Sequence, residues 1–500
     1  MKTLSRRGFM AAGAATLAAT QFPAIAFGQP AAPLRLAATR RTLDIDGRAA
    51  TVFGLAGPGG QGLVLDPGQR FRVDLTNDLD IGTIIHWHGQ IPPNAQDGVP
   101  DMPMPLLAPG ESRSYDFAPL PGTHWMHSHV PIQEMQLLAA PLIVRRPEDV
   151  AADRQEVVLF LHDFSFKAPE EVLEQILGGH GGGHGGGASS GGMAGMNHGG
   201  MDHGSMAGMD HGASTGGAMS MPMDMGGMAM DLNDYDWDAY LANDRTLSDP
   251  EIVPVERGGR VRLRVINAAA ATVFWIDTGA AAGRLVAVDG HDVQPVAGTR
   301  FGLAMGQRLD IEIDLPNEGG AWPILALREG ARERTGIILS TPGASIAKLE
   351  SVVEVDAPPF DIDLAQESGL VAIEGLSDRA VDRSQMVMLG GSMQPYVWTI
   401  NGAVWGEHRP VAATAGERVE LAFHNMSMMG HPMHLHGHAF QVVGLNGRRV
   451  AGARRDTVYV PPMSMVTVAL DAGEAASWML HCHHMPHLAT GMMTEFRVAA

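Results

Sequence analysis

The sequence predicts an all-β chain of Greek-key sandwiches or barrels, and three observations lead there. Short segments alternate apolar and polar residues with a period of two, a turn signal of one kind precedes the clearest of them, and both helical heptads and βαβ alternation are absent. Those segments are FRVDLTNDL at 71–79, VRLRVINA at 261–268 and RVELAFHNM at 418–426. They follow DPGQR, ERGGR and TAGER, where glycine and polar residues turn the chain into a strand. The recurrence implies three related β units beginning near residues 34, 155 and 350.

Bulk properties narrow the function. A chain of 500 residues is too long for one core and suggests two to four domains. Apolar residues at 45% and charged residues at 18% are those of an ordinary soluble protein. A formal charge of -20 argues against a nucleic-acid partner, because phosphates bind basic surfaces, and is compatible with a cationic substrate. The single cysteine, Cys482, excludes an intramolecular disulfide and needs another explanation.

Two segments stand outside the β units. At the N-terminus, residues 1–30 read as an export signal: Arg6-Arg7 form a twin arginine, an Ala-rich apolar run follows to about Phe27, and Ala24-Ile25-Ala26 offers a small-x-small cleavage site. The expected location is the periplasm, reached through the twin-arginine machinery, with no membrane association after cleavage. The second segment, 178–230, is Gly-rich, has no apolar periodicity, and is expected to be a disordered insert. It carries 11 methionines over 193–230, with His180, His184, His198, His203 and His211 among them. Thioether and imidazole are soft and borderline ligands, so metal capture is favoured over an inert linker.

Four His-x-His pairs carry the chemistry: His86/His88, His127/His129, His434/His436 and His481/His483. Residues i and i+2 of a strand face the same way, so each pair presents two imidazoles together. Two pairs lie in the first unit and two in the last, so they converge only across an interface between terminal units. Cys482 lies inside the last pair and points to the opposite face. His487 and His431 are its nearby nitrogen ligands, and Met492 lies ten residues on. Two histidines, a cysteine and a distant axial methionine form the blue-copper arrangement for electron transfer. The covalent link between Cys482 and its flanking histidines gives an electron a short path to the histidine cluster.

At this point HWHG (86–89), HWMHSH (124–129), HPMHLHGH (431–438) and HCHHMPHLATGMM (481–493) resemble the four copper motifs of multicopper oxidases. That family includes laccases, bacterial cuprous oxidases and copper-resistance oxidases. The resemblance implies three cupredoxin-like domains over 31–150, 151–345 and 346–500. It also implies four copper ions: a type 1 ion on His431, Cys482 and His487 with Met492 axial; a type 2 ion on His86 and His434; and two type 3 ions, one on His88, His127 and His483, the other on His129, His436 and His481.

His124 stands where the family usually has an aromatic residue, and His438 and His484 are additional; all three are expected to be outer or structural groups. Asp97, eleven residues past His86, resembles the acid that delivers protons to the histidine cluster, whereas a turn-forming aspartate before Gly98 is the plainer reading. Leu488 occupies the place where some cuprous oxidases have a second acid, so protons need another route. The implied function is one-electron oxidation of a substrate at the edge of the His431 or His487 ring, coupled to four-electron reduction of dioxygen to water. Met426, Met428, Met429 and Met433 around His431, together with the insert, favour Cu(I) as substrate and a role in copper tolerance. Laccase-type oxidation of phenols or aryl amines is the alternative, and a non-catalytic copper-binding or structural protein of the same fold is a further one. A monomer is expected.

Overall fold

The computed structural model describes residues 32–178 and 232–500. The export signal and all but the first residue of the Met-rich insert therefore lie outside the described residues. Strands dominate, and they pair into three β-sandwiches in chain order. In the first, a five-stranded sheet centred on Leu34–Ile45 and Phe71–Asn77 faces a four-stranded sheet containing Ile85–His88 and Gly122–Ser128. The second packs a six-stranded sheet around Arg260–Asn267 on a five-stranded sheet around Ala321–Arg328. In the third, the sheet built on Arg418–Asn425 packs on a five-stranded sheet containing His431–Leu435 and Ser477–Cys482.

The recurring segments seen in the sequence occupy one place in each sandwich. Phe71–Asn77, Arg260–Asn267 and Arg418–Asn425 each pair in parallel with the strand that opens the unit. Each also pairs antiparallel with a later strand. The alternation in FRVDLTN becomes strict alternation of buried and half-buried positions, so one face of the pleat fills the core. The preceding turns place Gly68, Gly258 and Gly416 at φ of 75°, 62° and 82°, a left-handed conformation that a side chain resists. Each strand ends on an asparagine, Asn77, Asn267 or Asn425, whose amide donates to carbonyls of neighbouring loops.

The units are locked together by polar and apolar contacts. Arg264, fully buried, joins Asp310 (3.0 Å), Glu156 (2.6 Å) and Thr123 Oγ1 (3.0 Å) at the seam between the first two. Met485 of the third donates its N–H to the Ala270 carbonyl of the second at 2.8 Å. Among the described residues no helix is long and apolar enough to cross a membrane.

Candidate metal centre

The two histidine motifs of the first sandwich lie on adjacent antiparallel strands that set His86 directly opposite His127. The third sandwich repeats the arrangement, setting His434 opposite His481. These two sheet ends meet, and eight buried imidazoles converge between them. Strand geometry holds for both members of the first pair only. His129, His436 and His483 sit one residue beyond their strands, Gly122–Ser128, His431–Leu435 and Ser477–Cys482, where the turning chain re-aims the ring. Consequently the two members of each of the other three pairs serve different groups. His86, His88 and His434 form one; His88, His127 and His483 a second; His129, His436 and His481 a third. Within each group the nearest ligand atoms lie within 4.8 Å of one another.

Six of the eight rings are tied at one nitrogen, whereas neither ring nitrogen of His483 has a hydrogen-bond partner among the described residues. His86 Nδ1–H donates to the Asp97 carbonyl (2.8 Å), His434 Nδ1–H to the Asp456 carbonyl (2.9 Å) and His436 Nδ1–H to Asp97 Oδ2 (2.9 Å). His127 Nδ1–H donates to the Ser128 carbonyl (3.0 Å) and His481 Nδ1–H to the Cys482 carbonyl (2.9 Å). The Nε2 atoms then face inward: His436 and His481 are 3.1 Å apart there, His86 and His434 3.4 Å. His88 is turned the other way. Its Nε2–H donates to Asp456 Oδ1 (3.0 Å), leaving Nδ1 without a partner among the described residues. Such second contacts fix tautomer and orientation in metal-ligating histidines.

On the opposite side of the Ser477–Cys482 strand, Cys482 Sγ lies 3.7 Å from His431 Nδ1 and 3.6 Å from His487 Nδ1, and the two nitrogens are 3.1 Å apart. Here the Nδ1 atoms converge, while His431 Nε2–H donates to Ser427 Oγ (2.8 Å). Met492 is fully buried, and its carbonyl accepts from the Cys482 N–H (3.1 Å). The Trp398 ring lies 4.1 Å from His487, closing this pocket to water.

The electrostatics suit a bound cation. Burial pushes His431 and His129 down to about 3, and His88, His127, His436, His481, His483 and His487 well below the usual histidine value. Protons therefore do not compete for these nitrogens. Burial also pushes the Cys482 thiol up, so a thiolate there needs a positive charge beside it. A metal held at about 2.0 Å from nitrogen and about 2.3 Å from sulfur separates its ligands by roughly 3.3–3.7 Å. The spacings of both centres fit.

Outcomes for the remaining sequence expectations differ. Asp97 is both turn and site: it follows the 3₁₀ turn Asn94–Gln96, and its buried carboxyl touches His436, with Oδ1 3.4 Å from His86 Nδ1. His438 is structural, donating to the His436 carbonyl (2.9 Å) and accepting from the Gly473 N–H (3.0 Å). His124 packs against Gly89 and Gly290. His484 stacks on His487 with ring centres 3.9 Å apart. The edge of His431 or His487 expected to meet substrate is not exposed, since both rings are fully buried beneath Ser427, Trp398 and Asp234.

Several residues have no motif to announce them. Asp456 holds His88, and Thr457 Oγ1 lies 3.1 Å from His434 Nδ1. Burial raises the Asp456 carboxyl, but Arg308 and the neighbouring imidazoles more than offset this and hold it well below the usual range. Glu134 lies 3.6 Å from His127 and 3.7 Å from His483, and burial pushes its carboxyl well above the usual range. A buried acid five residues after His129 was the one available signal. Among the described residues the second sandwich supplies no imidazole to the cluster, yet it forms a wall of it. Gly306 lies so close that a Cβ there would be 2.8 Å from His483, Gln307 donates to the Thr457 carbonyl (3.1 Å), and Arg308 pairs with both oxygens of Asp456. Arg308→Met removes one half of a fully buried ion pair and is expected to cost about 3–5 kcal/mol of stability. Denaturant unfolding measures this, and Asp456→Asn in the same background should recover part of the loss.

Comparison with known proteins agrees with this geometry. Family models described as multicopper oxidase match residues 39–149, 200–341 and 379–500. The chain is 29% identical to multicopper oxidase MmcO of Mycobacterium tuberculosis, over 99% of this chain and 96% of that protein. It is 25% identical to copper resistance protein A of Escherichia coli, over 97% and 93%. A crystal structure of a multicopper oxidase from Pseudomonas thermotolerans superposes with a TM-score of 0.65 at 23% identity, covering 93% of this chain and 98% of that one, and so shares the cupredoxin-type fold. Matches across all three sandwiches, together with imidazole and thiol groups spaced for copper, show that this chain belongs to the multicopper oxidase family of oxidoreductases.

Proposed function

We propose that the protein couples one-electron oxidation of Cu(I) to four-electron reduction of dioxygen to water, and serves copper tolerance in the periplasm after twin-arginine export. In this reading four coppers are held as the motifs imply. His431, Cys482 and His487 hold type 1, with Met492 axial; His86 and His434 hold type 2; the two remaining triads hold the type 3 pair. Bound copper supplies one-electron transfer at the cysteine centre and dioxygen reduction at the histidine cluster. The chain's residues do the rest. His481 and His483 flank Cys482 covalently, and the His481 Nδ1–H bond to the Cys482 carbonyl shortens the path between centres. Asp97 is assigned the proton-holding role, with Oδ1, which has no hydrogen-bond partner among the described residues, as the atom concerned.

One observation carries the choice of substrate. Both cysteine-centre imidazoles are buried, Ser427 Oγ accepts from His431, and Met426 and Met428 on either side of that serine are 56% and 40% exposed. Thioethers are soft ligands suited to Cu(I), whereas a phenol gains nothing specific from them. The name of the Escherichia coli relative, copper resistance protein A, is consistent with this reading. Replacing Met426 and Met428 by leucine together is expected to raise KM for Cu(I) about tenfold, roughly 1.4 kcal/mol. Turnover of a phenol should stay within about twofold, on the same affinity scale. Equal effects on both substrates in steady-state kinetics would reject Cu(I) as the preferred donor.

A further inference from the structure

The outer face of the third sandwich carries a row of side chains that the copper centres do not use. The strand Arg383–Met393 pairs in parallel with Arg418–Asn425 and places Met388 opposite His424. Arg418–Asn425 pairs antiparallel with Met465–Asp471 and places His424 opposite Met465. The flanking residues Val387, Leu389, Phe423, Asn425 and Val466 are fully buried, so alternation turns Met388, His424 and Met465 to the solvent side, where all three are half-buried. Met386, two residues before Met388, and Met463, two before Met465, are 51% and 62% exposed.

The fold does not require these residues. The first sandwich contains the equivalent row, because Asn77 and Asn425 end corresponding strands with the same hydrogen bonds to neighbouring loops. There the row is Ala37, Thr76 and Ser112, the small and hydroxyl residues usual on a solvated sheet face, with Thr76 and Ser112 hydrogen-bonded at 2.8 Å. Two thioethers around an imidazole in the same row are a departure in chemistry, not in architecture.

We propose that Met388, His424 and Met465 form a binding site for a soft monovalent cation, Cu(I), separate from the copper centres. Adjacent strands lie about 4.8 Å apart. A cation takes nitrogen at about 2.0 Å and sulfur at about 2.3 Å. One ion above His424 can therefore receive a thioether from each neighbouring strand with no movement of the backbone. The donor set, two thioethers and one neutral nitrogen without a carboxylate, selects Cu(I) over the harder divalent ions. The row lies on the sheet of the third sandwich that does not carry the cysteine centre, so the site is distinct from it. It exists whether or not Cu(I) is the electron donor.

Ag(I), a redox-inert ion of the same charge and softness, tests the site in equilibrium dialysis of the full-length, copper-loaded protein. Met388→Leu/Met465→Leu conserves volume at half-buried positions, so the fold and phenol oxidation should be unchanged. The expected result is loss of one Ag(I) equivalent relative to the unaltered protein. In methyl-labelled methionine spectra, the two resonances that the single leucine variants identify should shift on adding Ag(I) and stay still on adding Zn(II). Unchanged stoichiometry with unmoved resonances would overturn the site, and an equal response to Zn(II) would overturn its assignment to a soft cation. If the site binds Ag(I) while Cu(I) is not turned over, the proposed substrate fails and this site stands.

Discussion

Cys482→Ser is expected to remove the intense visible absorption of the copper-loaded protein and to lower oxidase turnover by on the order of a thousandfold or more, about 4 kcal/mol in the barrier. Cys482 is the only soft anionic ligand available to this centre, its Sγ lying 3.7 and 3.6 Å from the two imidazole Nδ1 atoms. It is also the covalent bridge to His481 and His483. Serine preserves the size of the side chain but supplies a hard oxygen that stays protonated in a fully buried pocket. Both Cu(I) and phenol oxidation should fall together, because they share the entry point even if they differ in how substrate is held. The histidine cluster keeps all its ligands, so its near-ultraviolet absorption and copper content should persist. Absorption spectra, metal analysis and oxygen uptake on one preparation separate these outcomes. A serine variant that stays blue would show that the thiolate is not the chromophoric ligand.

The parts of this structure that depend on local order were legible in the sequence. FRVDLTN reads as a strand because burial of one face needs every second residue apolar, and its turn glycine reads as Gly68 because only glycine takes a φ of 75° freely. The His-x-His spacing survives as a strand pair only at His86 and His88; in the other three pairs the strand ends before the second histidine, which the spacing alone does not announce. What was not legible depends on chain segments far apart. Asp456 grips His88 across 368 positions, and Arg308, from the second sandwich, sets Asp456 in turn. No periodicity marks such residues, because each is an isolated polar side chain whose partner is supplied by packing. The burial of His431 and His487 is of this kind too. Motif spacing picks out the imidazoles and the thiol that converge, but Trp398, which covers His487, comes from a strand outside the motifs.

The separation of the two centres yields the sharpest remaining expectation. His436 belongs to the third sandwich and faces His129 of the first, with its Nε2 3.1 Å from His481 and its Nδ1 held by Asp97. His436→Ala removes one of three nitrogens from a group that neither sandwich can assemble alone. The copper content should fall by about one ion, the near-ultraviolet absorption should be lost, and oxygen uptake should drop by on the order of a thousandfold. The visible absorption should survive, because its ligands lie on the other face of the Ser477–Cys482 strand. Anaerobic addition of a reductant should then bleach the variant at the normal rate, since the entry of electrons is intact. Readmitting air should restore the colour in the unaltered protein within the mixing time and only slowly in the variant, which has nowhere to pass the electron on. If the colour disappears with His436, the cysteine centre depends on the cluster for its integrity and the two cannot be treated as separate sites.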